Sequence, residues 1–311
     1  MSDKIRDLVI VGAGPSALAA AIYTTREGID TVLYEKSVVG GIVATIDNVD
    51  NYPGFPDGIE GLNLVDQLEK QAKRFGANIE FGDVSSVRDN GDFKILVVDG
   101  VEIRAKAVLI ATGRSYGNLG APGELEFFGR GVHYCATCDG AFYHGKRLIV
   151  VGGANSAIQE AIYLTRFATH IDLLVRSSIK ASEVLKKDLQ KLVAAGKITI
   201  HLETSVDEIM ATDGHVNSVR ATKNGEPMII EANGVFIFAG LRPNTKFLDN
   251  SDIELNEIGF IKTNSDFQTN ISGVFASGDV RNGATMQIAS AVGDGVTAAI
   301  SIREYLHSLD R

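Results

Sequence analysis

The sequence predicts an α/β fold in which buried parallel strands alternate with helices, and a repeated pattern supports this prediction. Residues 8–14 form an apolar, β-rich run that ends in glycine, and residues 148–154 repeat the pattern. Each run passes through a turn of small residues into apolar residues at helical spacing, around 21–26 and 161–166. A further strand-like run follows at 31–34. Two such β-α-β units predict parallel sheets covered by helices.

Further strand-and-turn segments predict how the chain divides into domains. Residues 108–113 and 235–240 resemble each other, and after each of them we expect the chain to cross between domains. Residues 273–279 add one more strand and turn. We therefore predict two Rossmann-like, three-layer nucleotide-binding domains, the second inserted into the first. The predicted bounds are 1–115 with 245–311 for the first domain and 116–244 for the second.

Composition and charge narrow the classes of function. Hydrophobic residues make up 45% and charged residues 22% of the 311-residue chain, as in a typical globular protein. The net charge of −9 argues against nucleic-acid binding, which favours a basic surface. No apolar run is long enough to span a bilayer, and the charged residues 1–7 do not resemble a signal peptide. We expect a cytoplasmic protein with no nucleic-acid or membrane partner.

The first glycine-rich turn predicts a dinucleotide site. Residues 12–17 fit the pattern Gly-x-Gly-x-x-Ala. Gly12 permits a tight turn, Gly14 lets the backbone approach a pyrophosphate, and Ala17 lets the helix pack on the strand. The helix N-terminus offers unpaired N–H groups to the phosphates. Glu35 ends the second strand, at the spacing where a carboxylate binds ribose hydroxyls.

The second turn keeps the same frame with two departures. Gly152 opens the turn, but Ala154 replaces the middle glycine, and its methyl group would crowd a pyrophosphate. The strand at 171–175 ends in no acid and is followed by Arg176 and Lys180. A cation in this place suits the 2′-phosphate of NADPH. The alternative is that both cations are solvated loop charges.

The chain has two cysteines, Cys135 and Cys138, and Asp139 follows directly. Two thiols separated by two residues can close a disulfide or open it to a dithiol with little backbone rearrangement. In a cytoplasmic protein this spacing is more often catalytic or metal-binding than structural. His133 and His144 flank the pair and could assist its chemistry, but they lack zinc-ligand spacing and are more typical of surface or packing residues. The pattern favours one redox couple and no metal site.

Together these motifs resemble the low-molecular-weight, FAD-dependent thioredoxin reductases, over essentially the whole chain. The cysteine hexapeptide is the specific element, because the glycine motifs are shared with many flavoproteins. The resemblance implies FAD in the first site, NADPH in the second, thioredoxin or a thioredoxin-like dithiol protein as electron acceptor, and a homodimer. The segments that carry it are 12–15, 40–41, 51–55, 111–113, 135–140 and 278–280.

The resemblance also implies roles for individual residues. Cys138 would face the flavin, Cys135 would attack the disulfide of the partner, and Asp139 would act as general acid and base. The residues implied to bind FAD are Gly12, Gly14, Pro15, Ser16, Glu35, Lys36, Gly40, Gly41, Ile42, Asn51, Thr112, Gly113, Gly278, Asp279, Gln287 and Ile288. Those implied to bind the pyridine nucleotide are Gly152, Asn155, Ser156, Arg176 and Lys180.

The departures from the family pattern concern mostly the electron donor. Arg176 and Lys180 keep part of the family's basic sequence for the 2′-phosphate. Ile42 stands where the family has glutamine, and Met286 stands where it has arginine. NADPH is the favoured donor, and NADH, ferredoxin or another donor is the alternative. A second alternative is a flavoprotein reductase that passes electrons between NAD(P)H and ferredoxin without disulfide chemistry.

Overall fold

The structure is a computed structural model that describes residues 4–46 and 48–309. The chain divides into two compact units, Met1–Ser115 with Arg242–Arg311, and Tyr116–Leu241. The chain returns to the first unit at Arg242, slightly before the expected position, where a short strand of residues 241–243 pairs with one of residues 114–116.

The secondary-structure elements are as follows, in chain order. The strands are β1 (Ile5–Val11), β2 (Thr31–Glu35), β3 (Asn78–Phe81), β4 (Val84–Asp89), β5 (Lys94–Val98), β6 (Val101–Ile110), β7 (Arg114–Tyr116), β8 (Val132–His133), β9 (Arg147–Val151), β10 (His170–Val175), β11 (Ile198–Leu202), β12 (Thr204–Thr212), β13 (His215–Lys223), β14 (Glu226–Glu231), β15 (Gly234–Ile237), β16 (Leu241–Pro243) and β17 (Val274–Ala276). The α-helices are α1 (Pro15–Arg26), α2 (Gly61–Arg74), α3 (Ala136–Asp139), α4 (Asn155–Leu164), α5 (Glu183–Ala194) and α6 (Ile288–Leu309). Short 3₁₀ helices cover Gly41–Thr45, Gly140–Tyr143, Lys246–Leu248 and Gly278–Val280.

The first unit is built on a seven-stranded sheet with the order β3-β2-β1-β6-β5-β4, and β17 also pairs with β6. Strands β1, β2, β3, β6 and β17 are parallel, whereas β4 and β5 form an antiparallel extension. Leu8 and Ile10 pack against helices α1, α2 and α6 on one face. Val9 and Val11 face the other way and pack with side chains of β4 and β5. Both faces of β1 are buried, which accounts for its unbroken apolar run.

The second unit has a five-stranded parallel sheet with the order β11-β10-β9-β15-β8. Leu148 and Val150 of β9 pack on helices α4 and α5. Ile149 and Val151 pack on the antiparallel sheet β12-β13-β14. Each unit therefore has three layers, and the prediction of two Rossmann-like α/β domains is confirmed.

The internal repeat of the sequence is also a structural repeat. In the first unit β1 leads through α1 to β2, with Leu8 beside Thr31. In the second, β9 leads through α4 to β10, with Leu148 beside Ile171. Across residues 4–46 and 48–309, no helix combines the length and the apolar character needed to cross a membrane.

Candidate active site

The turn after β1 requires glycine at its first position. Gly12 has φ +100°, and a Cβ there would lie 2.7 Å from the carbonyl oxygen of Ala111. Its N–H donates to the Tyr34 carbonyl at 2.8 Å, which ties the turn to β2. Pro15 then begins α1, a position where a missing N–H costs no helix hydrogen bond. The N-terminus of α1 therefore follows directly on the turn at the end of β1, the arrangement in which helices bind phosphate.

The fold itself does not require glycine at the middle position of this turn. Gly14 has an ordinary φ of −74°, and no heavy atom lies within 4 Å of the Cβ that another residue would carry. The space in front of α1 is therefore an open cradle that a methyl group would fill. A dinucleotide pyrophosphate fits this cradle, because it needs close approach to backbone N–H groups. The residues of the first turn fit FAD in this respect.

The predicted ribose-binding acid lies at the end of β2. Glu35 is 7% exposed, and its Oε2 accepts the Ala13 N–H at 2.9 Å. Its Oε1 accepts the Ser37 N–H at 2.9 Å. Glu35 and the exposed Lys36 line a cavity of about 390 Å³ beside the turn. Other residues that line this cavity are Gly12, Asp83, Thr112, Asn244 and Phe247.

Asn244 holds the Ala-Thr-Gly turn at the end of β6. Its side-chain amide donates to the Thr112 carbonyl at 2.8 Å, and its backbone N–H donates to the Gly113 carbonyl at 3.0 Å. The Thr112 hydroxyl donates in return to the Asn244 carbonyl at 2.8 Å. Asn244 was not predicted as a site residue, and its distance in sequence from the turn explains why.

Asp279 lies in the 3₁₀ helix that follows β17. Its Oδ2 accepts from Arg114 Nε at 3.1 Å. Burial raises the pKa of Asp279, and the Arg114 guanidinium offsets part of that effect. A Cβ at Gly278 would approach Ser16 Cβ to 3.0 Å, and the Ser16 hydroxyl bonds to the Ser277 hydroxyl at 2.7 Å. Residues 277–279 therefore contact the start of α1, which places the Asp279 carboxylate next to the first turn.

The remaining predicted FAD residues fall into two groups within the first unit. Gly40 precedes the 3₁₀ helix that begins at Gly41 and contains Ile42, and the Gly40 N–H donates to the Ala13 carbonyl at 2.8 Å. Asn51 Nδ2 donates to Gln287 Oε1 at 3.1 Å. Ile288 follows directly as the first residue of α6.

The second turn has the same backbone with different side chains. Gly152 has φ +144°, and a Cβ there would lie 2.7 Å from the Phe238 carbonyl oxygen. Ala154 has φ −92° and is exposed, so its methyl group fits the fold without strain. The Lys180 N–H donates to the Gly153 carbonyl at 2.7 Å. The Asn155 side chain accepts the Ser182 N–H at 2.8 Å, which holds the loop after β10 against this turn.

The side chains around the second turn are accessible. Asn155 and Ser156 open helix α4 and are exposed. Arg176 and Lys180 are exposed in the loop that is bonded to the turn, together with the hydroxyls of residues 177 and 178. Cations and hydroxyls are therefore held beside an open helix N-terminus, which suits an anionic ligand.

The two cysteines form a disulfide at the start of α3. Cys135 and Cys138 are bonded, with their Cα atoms 5.3 Å apart. The Cys138 N–H donates to Cys135 Sγ at 3.2 Å, and the Thr137 hydroxyl lies 3.4 Å from the same sulfur. Both cysteines are partly exposed. Two donors at Cys135 Sγ would stabilise a thiolate there once the bond opens.

Asp139 follows the disulfide and contacts a buried histidine. Its Oδ2 lies 3.2 Å from His133 Nδ1. His133 Nε2 lies 2.6 Å from the Tyr143 hydroxyl, and its ring stacks on Phe236. Burial raises the pKa of Tyr143, and the charge of Asp139 adds to that effect.

The comparison with known proteins agrees with this arrangement of two turns and a disulfide. The family model described as pyridine nucleotide-disulphide oxidoreductase matches residues 6–295. The chain belongs to this family. It is 40% identical to the thioredoxin reductase of Bacillus subtilis over 310 residues, 99% of this chain and 96% of that protein. It is 38% identical over 312 residues to a protein of Clostridium pasteurianum described as a 34.2 kDa protein in the rubredoxin operon, and the match covers 98% of each.

A solved structure extends the similarity to three dimensions. The crystal structure of thioredoxin reductase from Streptococcus pyogenes has a TM-score of 0.93 and 35% identity, and the match covers 99% of this chain and 100% of that chain. These matches confirm the predicted resemblance and the prediction of a disulfide-reducing flavoprotein oxidoreductase. They also confirm FAD and a pyridine nucleotide as cofactors of this type of enzyme.

Within this pyridine nucleotide-disulphide oxidoreductase, the structure changes the interpretation of one histidine. His133 and His144 were both expected to be surface or packing residues. His144 is exposed, as expected. His133 is 6% exposed, and its two ring nitrogens lie beside the Asp139 carboxylate and the Tyr143 hydroxyl. Its position two residues before Cys135 was the available signal, but the contact with Asp139 depends on the turn of α3.

Proposed function

We propose that the chain reduces the disulfide of thioredoxin, or of a similar small dithiol protein, with electrons from NADPH that pass through FAD and the Cys135–Cys138 pair. The observation that carries this proposal is the closed disulfide with Asp139 directly after it. The relatives named as thioredoxin reductases support the choice of acceptor.

The first unit offers residues to hold FAD. The backbone N–H groups at the start of α1 would bind the pyrophosphate, and the open space at Gly14 admits it. Glu35 would accept from the ribose hydroxyls while keeping its bond from the Ala13 N–H. Asp279 would accept from hydroxyls of the chain that joins the flavin to its phosphates. FAD, when bound, supplies the two electrons that open the disulfide.

The reductive step breaks the sulfur–sulfur bond between Cys135 and Cys138. Two electrons convert the two sulfurs to thiolates, and two protons convert those to thiols. Asp139 would donate one of these protons and then, as a carboxylate, accept one in the next step. By the family resemblance, Cys138 is the sulfur that receives the electrons.

The oxidative step transfers the electrons to the partner. Cys135 as thiolate would attack one sulfur of the thioredoxin disulfide and release the other as a thiolate. Cys138 would then attack Cys135 Sγ in the mixed disulfide, which frees reduced thioredoxin and restores the Cys135–Cys138 bond. The N–H of Cys138 and the hydroxyl of Thr137 favour the Cys135 thiolate.

The second turn supports NADPH as the donor. Arg176 and Lys180 are exposed, and the Lys180 backbone is bonded to the turn itself. They would contact the 2′-phosphate while Asn155 and Ser156 face the pyrophosphate. The methyl group of Ala154 lies where a pyrophosphate would come closest to the backbone. We therefore expect weaker nucleotide binding at this turn than at the first turn.

An anaerobic titration tests the donor. Purified flavoprotein is titrated in parallel with NADPH, NADH and dithionite while the flavin absorbance is followed. We expect near-stoichiometric bleaching by NADPH. Bleaching by dithionite alone would overturn NADPH as the donor and direct attention to ferredoxin, while bleaching by NADH at equal amounts would overturn the role of the cations.

Cys138→Ser tests the disulfide chemistry. We expect this variant to bind flavin normally and to lose thioredoxin reduction, because it can no longer form the Cys135–Cys138 bond. The measurement is thioredoxin-dependent turnover with dithionite-reduced enzyme, with flavin absorbance as the control for folding. Full turnover by the variant would contradict the proposal and favour a reductase without disulfide chemistry.

We also propose a cytoplasmic homodimer. The reducing compartment suits a disulfide that must reopen in each cycle. Sedimentation of the purified flavoprotein tests the dimer, and a monomer at micromolar concentration would contradict it.

A further inference from the structure

His133 is a buried side chain that contacts the proposed acid–base residue, and it contacts a second polar group on its other side. Nδ1 lies 3.2 Å from Asp139 Oδ2, and Nε2 lies 2.6 Å from the Tyr143 hydroxyl. Among the described residues, the titratable groups that face Asp139 are His133 from β8, Tyr143 from the following 3₁₀ helix and the two cysteines of its own helix. Phe236 of β15 stacks on the ring and carries no charge.

The contacts on the two sides of the His133 ring together favour a hydrogen on Nδ1. Burial keeps the Tyr143 hydroxyl protonated, since it raises the pKa of that group. A tyrosine O–H that donates to Nε2 of a neutral imidazole leaves the hydrogen on Nδ1. Nδ1–H then faces the Asp139 carboxylate, which is an acceptor. Of the two neutral tautomers, only this one gives each polar group a complementary neighbour, because the other sets the Nδ1 lone pair against the carboxylate.

We propose that His133 is a positioning residue that holds the carboxylate of Asp139, the residue directly after the Cys135–Cys138 pair, in one orientation, and that Tyr143 supports the histidine tautomer this requires. The proposal rests on the proposed disulfide reductase function and adds a residue to its acid–base step. Among the described contacts of His133 there is none to a sulfur, so it acts through Asp139.

The packing of His133 favours this role over simple filling of the core. Its ring lies 5.1 Å from Phe236 at an interplanar angle of 29°, and Tyr143 lies edge-on to both rings. A phenylalanine could occupy the same stack. The two nitrogens are used only by Asp139 and Tyr143, so the polar function is separable from the packing.

The experiment replaces His133 with phenylalanine, which removes the ring nitrogens and keeps an aromatic ring. Enzyme reduced with dithionite is mixed with oxidised thioredoxin, and the rate of its reoxidation is measured from acid to alkaline pH. His133→Phe should lower the rate about tenfold near neutral pH, because the carboxylate loses an oriented donor. The pH profile of the rate should shift as well, because proton transfer by Asp139 then proceeds without its N–H neighbour.

Three further variants make the result specific. His133→Asn restores a donor toward Asp139 and should recover most of the rate. Tyr143→Phe keeps the ring and frees the tautomer, so it should show a smaller loss with a shift in the same direction. His144→Asn changes an exposed neighbour of the motif and should match the wild type.

Two outcomes overturn the proposal. A wild-type rate and pH profile in His133→Phe would show that the residue only packs against Phe236. An equal loss in His133→Phe and His133→Asn without any shift in the profile would show a general structural disturbance, which flavin content and thermal unfolding would register. The same reduced variants are also tested with a small aromatic disulfide that releases a coloured thiolate. If wild-type enzyme reacts with that reagent but not with thioredoxin, the assignment of thioredoxin as acceptor is wrong. The rates of the His133 variants with the reagent then still test the role of His133.

Discussion

The two phosphate-binding turns share a backbone and differ in the side chains placed around it. Gly14 has φ −74° and ψ 178°, and Ala154 has φ −92° and ψ 177°. In both turns the second residue's carbonyl accepts an N–H from the loop after the next strand, at 2.8 Å from Gly40 and 2.7 Å from Lys180. One strand-turn-helix geometry is therefore built twice, and the difference in ligand must come from the side chains.

The largest difference lies at the end of the second strand of each unit. In the first unit Glu35 accepts the N–H of Ala13 within the turn. In the second unit Val175 holds that place, and a Cβ on Gly153 would lie 2.6 Å from its Cγ1. An acid here favours a ribose hydroxyl, whereas a valine followed by Arg176 leaves recognition to the loop. Ligand recognition at the first turn thus depends on a residue of strand β2, whereas at the second turn it depends on the loop after β10.

The largest effect is expected from Gly12→Ala, which breaks the first turn. Its φ of +100° and the 2.7 Å approach to Ala111 O add strain of about 1–3 kcal/mol before any loss of ligand. We expect protein nearly free of flavin, with a lower unfolding temperature of the apoprotein. The flavin-to-protein absorbance ratio and thermal unfolding measure this.

Gly14→Ala is the matched control for that variant. It should lower flavin content while leaving the unfolding temperature of the apoprotein unchanged, because its φ is ordinary and the space is open. An equal loss of apoprotein stability in both variants would contradict the distinction between a fold glycine and a ligand glycine.

The second effect concerns a buried carboxylate of the second unit, at a strand position where the first unit has a valine. Asp172 occupies the register position on β10 that Val32 occupies on β2, and it accepts from Arg147 at 2.9 Å and from His201 at 2.9 Å. Burial acts to raise the pKa of Asp172, but the hydrogen bonds from His201 and Arg147 outweigh it and hold the pKa below its ordinary value. Asp172→Asn should lower the free energy of unfolding by about 1–3 kcal/mol at neutral pH.

The pH dependence of that effect has a definite sign. A carboxyl whose pKa is lower in the folded state contributes stability above its ordinary pKa of about 3.9, and that stability is lost as the pH falls further. The difference between Asp172→Asn and wild type should therefore shrink below that pH. Denaturant unfolding at several pH values measures it. Asp188→Asn, which removes an exposed carboxylate paired with Lys191, should change little at any pH.

The third effect sharpens the assignment of the loop cations. Arg176→Ala should reduce kcat/KM for NADPH about tenfold, since a charged contact with the 2′-phosphate is lost. Turnover with NADH should not change, because NADH lacks that phosphate. Steady-state kinetics with both nucleotides tests this, and Lys223→Ala, at the end of β13, is the control for general loss of positive charge. Equal loss with both nucleotides would show that Arg176 does not recognise the phosphate.

The smallest effect is expected from making the second turn like the first. Ala154→Gly should tighten NADPH binding by about threefold, because the backbone can approach the pyrophosphate more closely. Binding is measured by quenching of flavin fluorescence in the oxidised enzyme. Unchanged or weaker binding would show that the methyl group does not limit this site.

Much of the site could be predicted because it lies in short local motifs. Gly12, Gly14 and Glu35 belong to one β-α-β unit, where spacing along the chain determines position in space. Cys135, Cys138 and Asp139 lie within one helical turn. Local geometry thus brings each of these sets together whatever the rest of the chain does.

The contacts that were not predicted join distant parts of the chain. Asn244 closes the Thr112 turn from a segment that follows the whole second unit. Ser277 reaches the Ser16 hydroxyl across α1. His133 was predicted to be a surface or packing residue, because nothing in its local sequence shows that α3 turns Asp139 back toward it. Such pairings arise from packing, which sequence spacing does not encode.

The sequence alone determined the repeated β-α-β plan, the redox pair and the family, because apolar periodicity, small-residue turns and a two-residue cysteine spacing are local properties of the chain. Only the tertiary structure decided which glycine the fold requires, which glycine leaves space for a ligand, and which side chain contacts Asp139. The physical reason is that these depend on distances between atoms far apart in sequence, such as Gly12 against Ala111 and Asp139 against the Tyr143-bonded His133.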